Sequence, residues 1–162
     1  MGSRSQRQML EAGQRAPEFT LPALGGGTLG LHELVENGPA VLAFFNVSCP
    51  VCQLEFPFLD RLSRSGGMRF VAVSQDDAGA TQAFLEEFGV TFPALMDEAP
   101  AGYPASNAFG ITHVPSVFVV EQDGMISHAW SGFSKADLEQ LGRRLSTEPF
   151  RPEENVPAFK PG

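Results

Sequence analysis

The chain has 162 residues, a length that fits one compact domain with its own core and is short for two. Hydrophobic residues make up 43% of it and charged residues 19%, a composition that is typical of folded proteins and excludes disordered and collagen-like chains. The formal net charge of −8 repels phosphate backbones and anionic lipids. Nucleic acid and membrane surfaces are therefore not expected as partners.

The sequence contains no stretch typical of a membrane span. No apolar run reaches the roughly 20 residues that a spanning helix needs, and the longest runs, 40–45 and 114–120, have the length of strands. The segment 1–15 carries three arginines with no apolar stretch behind them, so it does not resemble a secretory signal. As written, the sequence predicts a cytoplasmic protein. If an N-terminal anchor has been removed, a periplasmic or other extracytoplasmic location is the alternative.

Composition along the chain predicts three parts: a flexible N-terminal segment over 1–15, one domain over 16–146 and a Pro-rich tail over 147–162. The domain opens with two short strands around the turn Gly25-Gly26-Gly27, which predicts an N-terminal β-hairpin.

The remaining elements follow from hydrophobic periodicity and turn residues. They are strand 40–45, helix 50–63, strand 68–74, helix 78–88, strand 92–96, helix 102–109, strands 116–120 and 125–130, and helix 134–145. The alternation of strand and helix in the first half favours parallel pairing, whereas the last two strands form a hairpin.

The two cysteines form the sequence Cys49-Pro50-Val51-Cys52. A disulfide scaffold needs more cysteines, and a zinc site needs a second ligand pair, which the three scattered histidines do not supply. Because Cys49 directly precedes a predicted helix, its sulfur is expected at the N-cap, where unpaired N–H groups and the helix dipole favour a thiolate. Cys52 lies one turn deeper, within disulfide reach. Cys49 is thus predicted to attack a disulfide and Cys52 to resolve the mixed disulfide.

Two further positions are candidates for the same site. Glu55 follows Cys52 by three residues, so its carboxylate opposes ionisation of the cysteines and can accept the Cys52 proton. A solvated glutamate on the helix surface is the alternative. Pro115 stands immediately before the strand 116–120, where an X-Pro bond can be cis.

These motifs together resemble a known family. The strand 40–45, the Cys49–Cys52 motif, Glu55-Phe56-Pro57 and Val114-Pro115 resemble a thioredoxin-fold protein, and Ala16-Pro17-Glu18-Phe19 narrows this to the TlpA/ResA-like thiol-disulfide oxidoreductases of the redoxin (AhpC/TSA) superfamily. The likeness covers residues 14 to 146. It implies a thioredoxin-like three-layer α/β/α fold with a central mixed β-sheet, an N-terminal β-hairpin extension and a central βα insertion.

The resemblance also implies a function. A Cys49–Cys52 dithiol or disulfide would be exchanged with thiols and disulfides of protein partners and with an upstream redox donor or acceptor, in a monomer without cofactor or metal. Cys49 would be the nucleophile, Glu55 would tune cysteine acidity, and a cis Pro115 would face the disulfide. The expected substrate-binding residues are Ser48, Pro50, Val51 and Val114.

The sequence departs from the family pattern at three positions. Ser48 stands where an aromatic residue usually precedes the first cysteine, and Pro50 is the first residue of a dipeptide in which the family often has proline second. Ala43 occupies the place where thioredoxins have a buried aspartate. The redox potential is therefore not expected to match that of relatives.

Two alternative functions use the same fold. A peroxiredoxin-like thiol peroxidase would have Pro seven and Thr or Ser three residues before the attacking cysteine, where this chain has Leu42 and Asn46. A Cu(I)-binding chaperone would add His113 or His128 to the two thiolates. Copper chaperones of this fold usually space their cysteines by three residues, whereas two residues separate them here.

Overall fold

A computed structural model describes residues 8–162 of the chain. The first residues of the predicted flexible segment, 1–7, lie outside this range. Within the remainder of that segment, Leu10 and Gly13 donate backbone hydrogen bonds to Phe109 and Ile126, so this part packs against the domain. Across the described range, no helix combines the length and apolar character that crossing a membrane requires.

The strands are β1 (Thr20–Pro22), β2 (Thr28–Gly30), β3 (Ala40–Phe45), β4 (Arg69–Ser74), β5 (Ala94–Met96), β6 (Ser116–Val120), β7 (Ile126–Ser131), β8 (Phe133–Ser134) and β9 (Phe159–Lys160). The helices are α1 (Leu31–Leu34), α2 (Pro50–Ser63), α3 (Ala78–Glu87), α4 (Pro104–Ala108) and α5 (Lys135–Arg144), with a 3-10 turn at Ala99–Ala101.

A five-stranded sheet in the order β5-β4-β3-β6-β7 forms the centre of the domain. The neighbours β3, β4 and β5 run parallel, while β6 and β7 run antiparallel to their neighbours. The crossover helices α2 and α3 make the parallel pairs possible. The mixed sheet and the N-terminal hairpin β1-β2 confirm the predicted fold class.

Two cores lie on opposite faces of this sheet because successive side chains of a strand point to opposite sides. From β3, Val41 and Phe45 join the core beneath α2, α3 and α5, whereas Leu42 and Phe44 join the core beneath the hairpin, α1 and α4. Every residue of β3 is buried, which explains its uninterrupted apolar sequence.

Differences from the predicted elements have local causes. The helix expected over 102–109 begins only at Pro104, because Gly102 and Tyr103 have φ values of 80° and 50°, outside the helical region. Proline without an N–H suits the first helical position that follows. The sequence did not predict the single turn α1 or the two-residue strands β8 and β9, which are too short to carry a periodic pattern.

Candidate functional site

The sheet topology brings Cys49 and Pro115 together at one end of the neighbouring strands β3 and β6. Because β6 runs antiparallel to β3, its first residue, Ser116, pairs with Phe44 near the end of β3. Cys49 follows β3 after a short loop, and Pro115 directly precedes β6. The Val114–Pro115 bond is cis, as predicted, and the Cys49 Sγ lies 3.3 Å from the Val114 carbonyl oxygen.

The loop between β3 and α2 is held from two sides. The Val47 N–H donates to Asp76 at 2.8 Å, and the Gln53 side-chain amide donates to the Val47 carbonyl at 3.1 Å. The loop therefore delivers Cys49 to the N-cap of α2, where its Sγ accepts a hydrogen bond from the Cys52 N–H at 3.1 Å. Cys49 is thus the N-cap residue of α2, as the sequence predicted.

The two thiols have opposite electrostatic environments. Hydrogen bonding from the Cys52 side chain, together with the N–H groups of Cys52 and Val51, lowers the pKa of Cys49 to about 6 against the opposing effect of partial burial. Burial raises the pKa of Cys52, and its hydrogen bond to Cys49 and the charge of that sulfur raise it further. At neutral pH, Cys49 is thus mainly a thiolate and Cys52 a thiol.

Glu55 is fully buried on α2, which rules out the surface glutamate considered above. Its Oε1 accepts a hydrogen bond from the Trp130 indole N–H at 2.8 Å, while its Oε2 is buried and has no hydrogen-bond partner among residues 8–162. Burial raises the pKa of Glu55 to about 8 against the effect of the Trp130 hydrogen bond, and the charges of Cys49 and Asp137 raise it as well. The carboxyl group is therefore mostly protonated at pH 7.

Trp130 is a site residue that the sequence analysis missed. It lies on β7, 75 residues from Glu55 along the chain, and its indole is almost entirely buried. Its ring packs against His128 with the centroids 4.8 Å apart, and the His128 Nε2 lies 2.7 Å from the Asp137 carboxylate. No motif marks this contact in the sequence, because only the packing of β7 against α2 creates it.

A solvent-accessible cavity of about 530 Å³ opens beside Cys49. All four predicted substrate-binding residues, Ser48, Pro50, Val51 and Val114, line it, whereas Cys52 and Glu55 lie buried behind it. The lining residues that the sequence did not predict are Asn46, Gln75, Ile111, Thr112, His113, Pro161 and Gly162.

The histidines considered for copper have other neighbours. His113 Nδ1 lies 3.0 Å from the Thr112 hydroxyl, and His128 pairs with Asp137. Within residues 8–162, no three potential ligands among His, Cys, Asp and Glu lie close enough to hold a metal ion. The cluster that the copper interpretation requires is therefore not formed by the described residues.

The raised pKa of Glu55 predicts a pH-dependent stability. Between the ordinary pKa of 4.5 and the folded value of about 8, the unfolded chain releases the Glu55 proton while the folded protein retains it. The free energy of unfolding of the wild type, relative to Glu55→Gln, should therefore fall as the pH rises from about 5 to 8, by at most about 5 kcal/mol at 1.36 kcal/mol per pKa unit. Urea unfolding of the reduced proteins measures this difference. Glu87→Gln, which removes an exposed carboxylate, is the matched control, and an equal pH dependence in wild type and Glu55→Gln would contradict the prediction.

Trp130→Phe should raise the pKa of Glu55 above that of the wild type, since it removes the hydrogen bond that lowers this pKa. Carbon-13 NMR of the glutamate carboxyl groups follows the titration directly, with Glu55→Gln identifying the resonance. An unchanged or lowered midpoint would show that the indole does not stabilise the carboxylate.

Comparison with known proteins agrees with this geometry. ResA of Halalkalibacterium halodurans, named a thiol-disulfide oxidoreductase, is 29% identical over 130 residues, which cover 78% of this chain and 72% of the relative. The structure of MTB DsbF in its mixed oxidized and reduced forms has a TM-score of 0.68 and 28% identity and covers 79% of this chain and 92% of that one. A secreted Mycobacterium tuberculosis disulfide oxidoreductase has a TM-score of 0.62 and 25% identity, over 79% of this chain and 94% of the other.

The AhpC/TSA family matches residues 12–129, which is most of the domain. The relatives named ResA confirm the predicted resemblance within that superfamily. On this match, the chain belongs to the AhpC/TSA family.

Proposed function

We propose that this protein is a thiol-disulfide oxidoreductase that exchanges its Cys49–Cys52 pair with polypeptide partners through a mixed disulfide. The observation that carries the proposal is the position of the Cys49 sulfur, which caps α2, faces an open cavity and has a lowered pKa. The ResA relatives support the reaction class. All the residues of the site belong to one chain, so a monomer is sufficient for the chemistry.

In the first step, the Cys49 thiolate attacks one sulfur of a partner disulfide. The partner S–S bond breaks, a new bond joins Cys49 to the attacked sulfur, and the other partner sulfur leaves as a thiolate that solvent protonates. The partner-binding residues Ser48, Pro50, Val51 and Val114 surround this point of attack.

In the second step, Cys52 loses its proton and attacks the Cys49 sulfur. The mixed disulfide breaks, the Cys49–Cys52 disulfide forms, and the partner leaves with both sulfurs reduced by two electrons in total. Cys52 is buried and its pKa is raised, so this step needs a base. In the reverse direction, the same steps oxidise a partner dithiol.

Glu55 is the base that this step requires. It lies one helical turn beyond Cys52, and its charge acts on that thiol electrostatically. With a pKa of about 8, the carboxylate binds a proton far more strongly than an exposed glutamate would, which brings it closer to the acidity of a thiol. Only the ionised fraction of Glu55 accepts this proton. In the mixed disulfide Cys49 no longer carries the charge that helps to raise the pKa of Glu55, so that fraction increases at the step that needs the base.

An extracytoplasmic location fits this chemistry best. One structural relative is described as secreted, and disulfides persist in oxidising compartments outside the cytoplasm. The upstream redox donor or acceptor would meet the protein in the same compartment.

The assigned roles predict opposite outcomes for the two cysteine variants. Cys49→Ser should lower insulin reduction to the uncatalysed rate, because no thiolate remains to attack, while Cys52→Ser should accumulate a mixed disulfide that cannot be resolved. Turbidity assays and non-reducing mass spectrometry measure these outcomes. The double variant should form no adduct, and an adduct on Cys52 in Cys49→Ser would reverse the assignment.

The reduced protein should be alkylated at Cys49 by iodoacetamide with a half-maximal rate near pH 6, since the thiolate is the reacting form. Cys52→Ala should move this midpoint to higher pH by removing the thiol that donates to Cys49. Cys52→Ser retains a hydroxyl donor and serves as the matched control, for which the shift should be smaller. A wild-type midpoint near the ordinary thiol pKa of about 8.5 would contradict the proposed nucleophile.

A further inference from the structure

The tail over 147–162 leads back to the cavity beside Cys49, and several contacts attach it to the rest of the domain. Phe150 packs edge-to-face on Phe58 of α2, with the ring centroids 4.9 Å apart. Arg61 of the same helix forms two hydrogen bonds with Glu154, at 2.7 and 2.9 Å, and a third with the Pro149 carbonyl at 2.6 Å. These contacts fix the first half of the tail on α2.

The second half of the tail is fixed by backbone pairing. The strand β9 pairs antiparallel with β8, and the Lys135 N–H donates to the Ala158 carbonyl at 3.0 Å. A Cβ atom on Gly132 would lie 2.5 Å from the Lys160 carbonyl oxygen. Only glycine therefore allows the tail to approach this closely.

Beyond β9, the tail reaches the cis peptide bond of the site. A Cβ atom on Gly162 would lie 2.1 Å from the Val114 carbonyl oxygen and 3.3 Å from the Pro115 nitrogen. The Cys49 Sγ lies 3.3 Å from that same oxygen. Gly162 thus covers one side of the Val114 carbonyl, and Cys49 occupies another.

This position makes the tail part of the cavity beside Cys49. Pro161 and Gly162 line it together with the loop residues Ser48 and His113. Any polypeptide that presents a disulfide to Cys49 must enter this space. The tail takes up room there that a partner backbone would otherwise occupy against Val114.

Building on the proposed function, we propose that residues 159–162 are a fixed wall of the partner-binding groove that admits disulfides on extended, narrow polypeptide segments and disfavours bulky folded partners. The attachments to α2 and β8 argue for a wall rather than a mobile cover. Cys49 remains partly exposed with the tail in place, so the reaction does not require the tail to leave.

The residues that line the cavity beside Cys49 also indicate which kind of partner segment binds there best. Apart from Cys49, His113 is the one titratable side chain among the described lining residues, and the other polar ones are Asn46, Ser48, Gln75 and Thr112. Within the described range, no lining side chain is a carboxylate, lysine or arginine that could pair with a charged side chain of the partner. Small, uncharged residues beside the partner cysteine fit this groove best.

The test compares two disulfides: insulin, and a linear octapeptide whose single central cysteine is linked to glutathione. In a chain that ends at residue 158, and in Gly162→Val, the ratio of kcat/KM for insulin to that for the octapeptide should rise at least about three-fold over the wild type. Gly162→Val keeps β9 and only displaces the end of the tail. Gly25→Val is the matched control, because a Cβ atom at Gly25 meets no atom of the described residues within 4 Å, and it should leave the ratio unchanged.

If the ratio rises less than about three-fold, or falls, in every variant that folds, the proposal that the tail is a wall of the groove is wrong. A second measurement uses the unmodified protein: nuclear Overhauser effects should join Gly162 to Val114 and Pro115 in both redox states, and their absence overturns the fixed position. Failure of the wild type to reduce either disulfide would instead refute the proposed function. Reduction of both disulfides with an unmoved ratio would refute the wall alone.

Discussion

The hydrogen bond from the Cys52 N–H to the Cys49 sulfur is the interaction on which the site depends. It exists because α2 begins directly after Cys49, which leaves the N–H groups of the first turn without backbone partners. A sulfur in this place satisfies one of them and gains the favourable end of the helix dipole. The rest of the domain holds the start of this helix beside the open cavity at the end of β3.

Burial then separates the roles of two chemically identical groups. Cys49 is half-buried and Cys52 is fully buried, so the cost of desolvation falls mainly on an ionised Cys52. The proton stays on Cys52, and from there it stabilises the thiolate of Cys49. Glu55 behind them stays protonated at neutral pH for the same reason, which keeps two negative charges out of the interior when Cys49 is ionised.

The sequence was sufficient to predict an element wherever interactions between neighbouring residues determine it. The helix over 50–63 has the predicted bounds because Cys49 caps it and Pro50 suits its first position. The strand over 40–45 also has its predicted bounds, because its unbroken apolar run fits only the centre of a sheet. The cis bond at Pro115 is as predicted, but the resemblance supported that expectation more than the dipeptide did.

Contacts between segments that are far apart along the chain could not be predicted from the sequence. The spacing of Glu55 from Cys52 placed it on the correct helix, but its hydrogen-bond partner is Trp130, which lies on β7, 75 residues away along the chain. The tail was predicted only as a Pro-rich segment, since two-residue pairing and aromatic contacts such as Phe150 with Phe58 leave no periodic signal.

Two glycines allow the tail to lie close to the rest of the domain. Gly132, between β7 and β8, and Gly162, in the tail, lie 30 positions apart and belong to no common motif, yet each is a residue without a side chain at a point where two backbones meet. Backbones packed this closely leave little freedom for the tail to move while β8 and β9 stay paired. These two contacts and the pairing of β8 with β9 favour a fixed segment over one that covers the site temporarily. The shape of the groove thus follows from glycine positions as much as from the residues that face the partner.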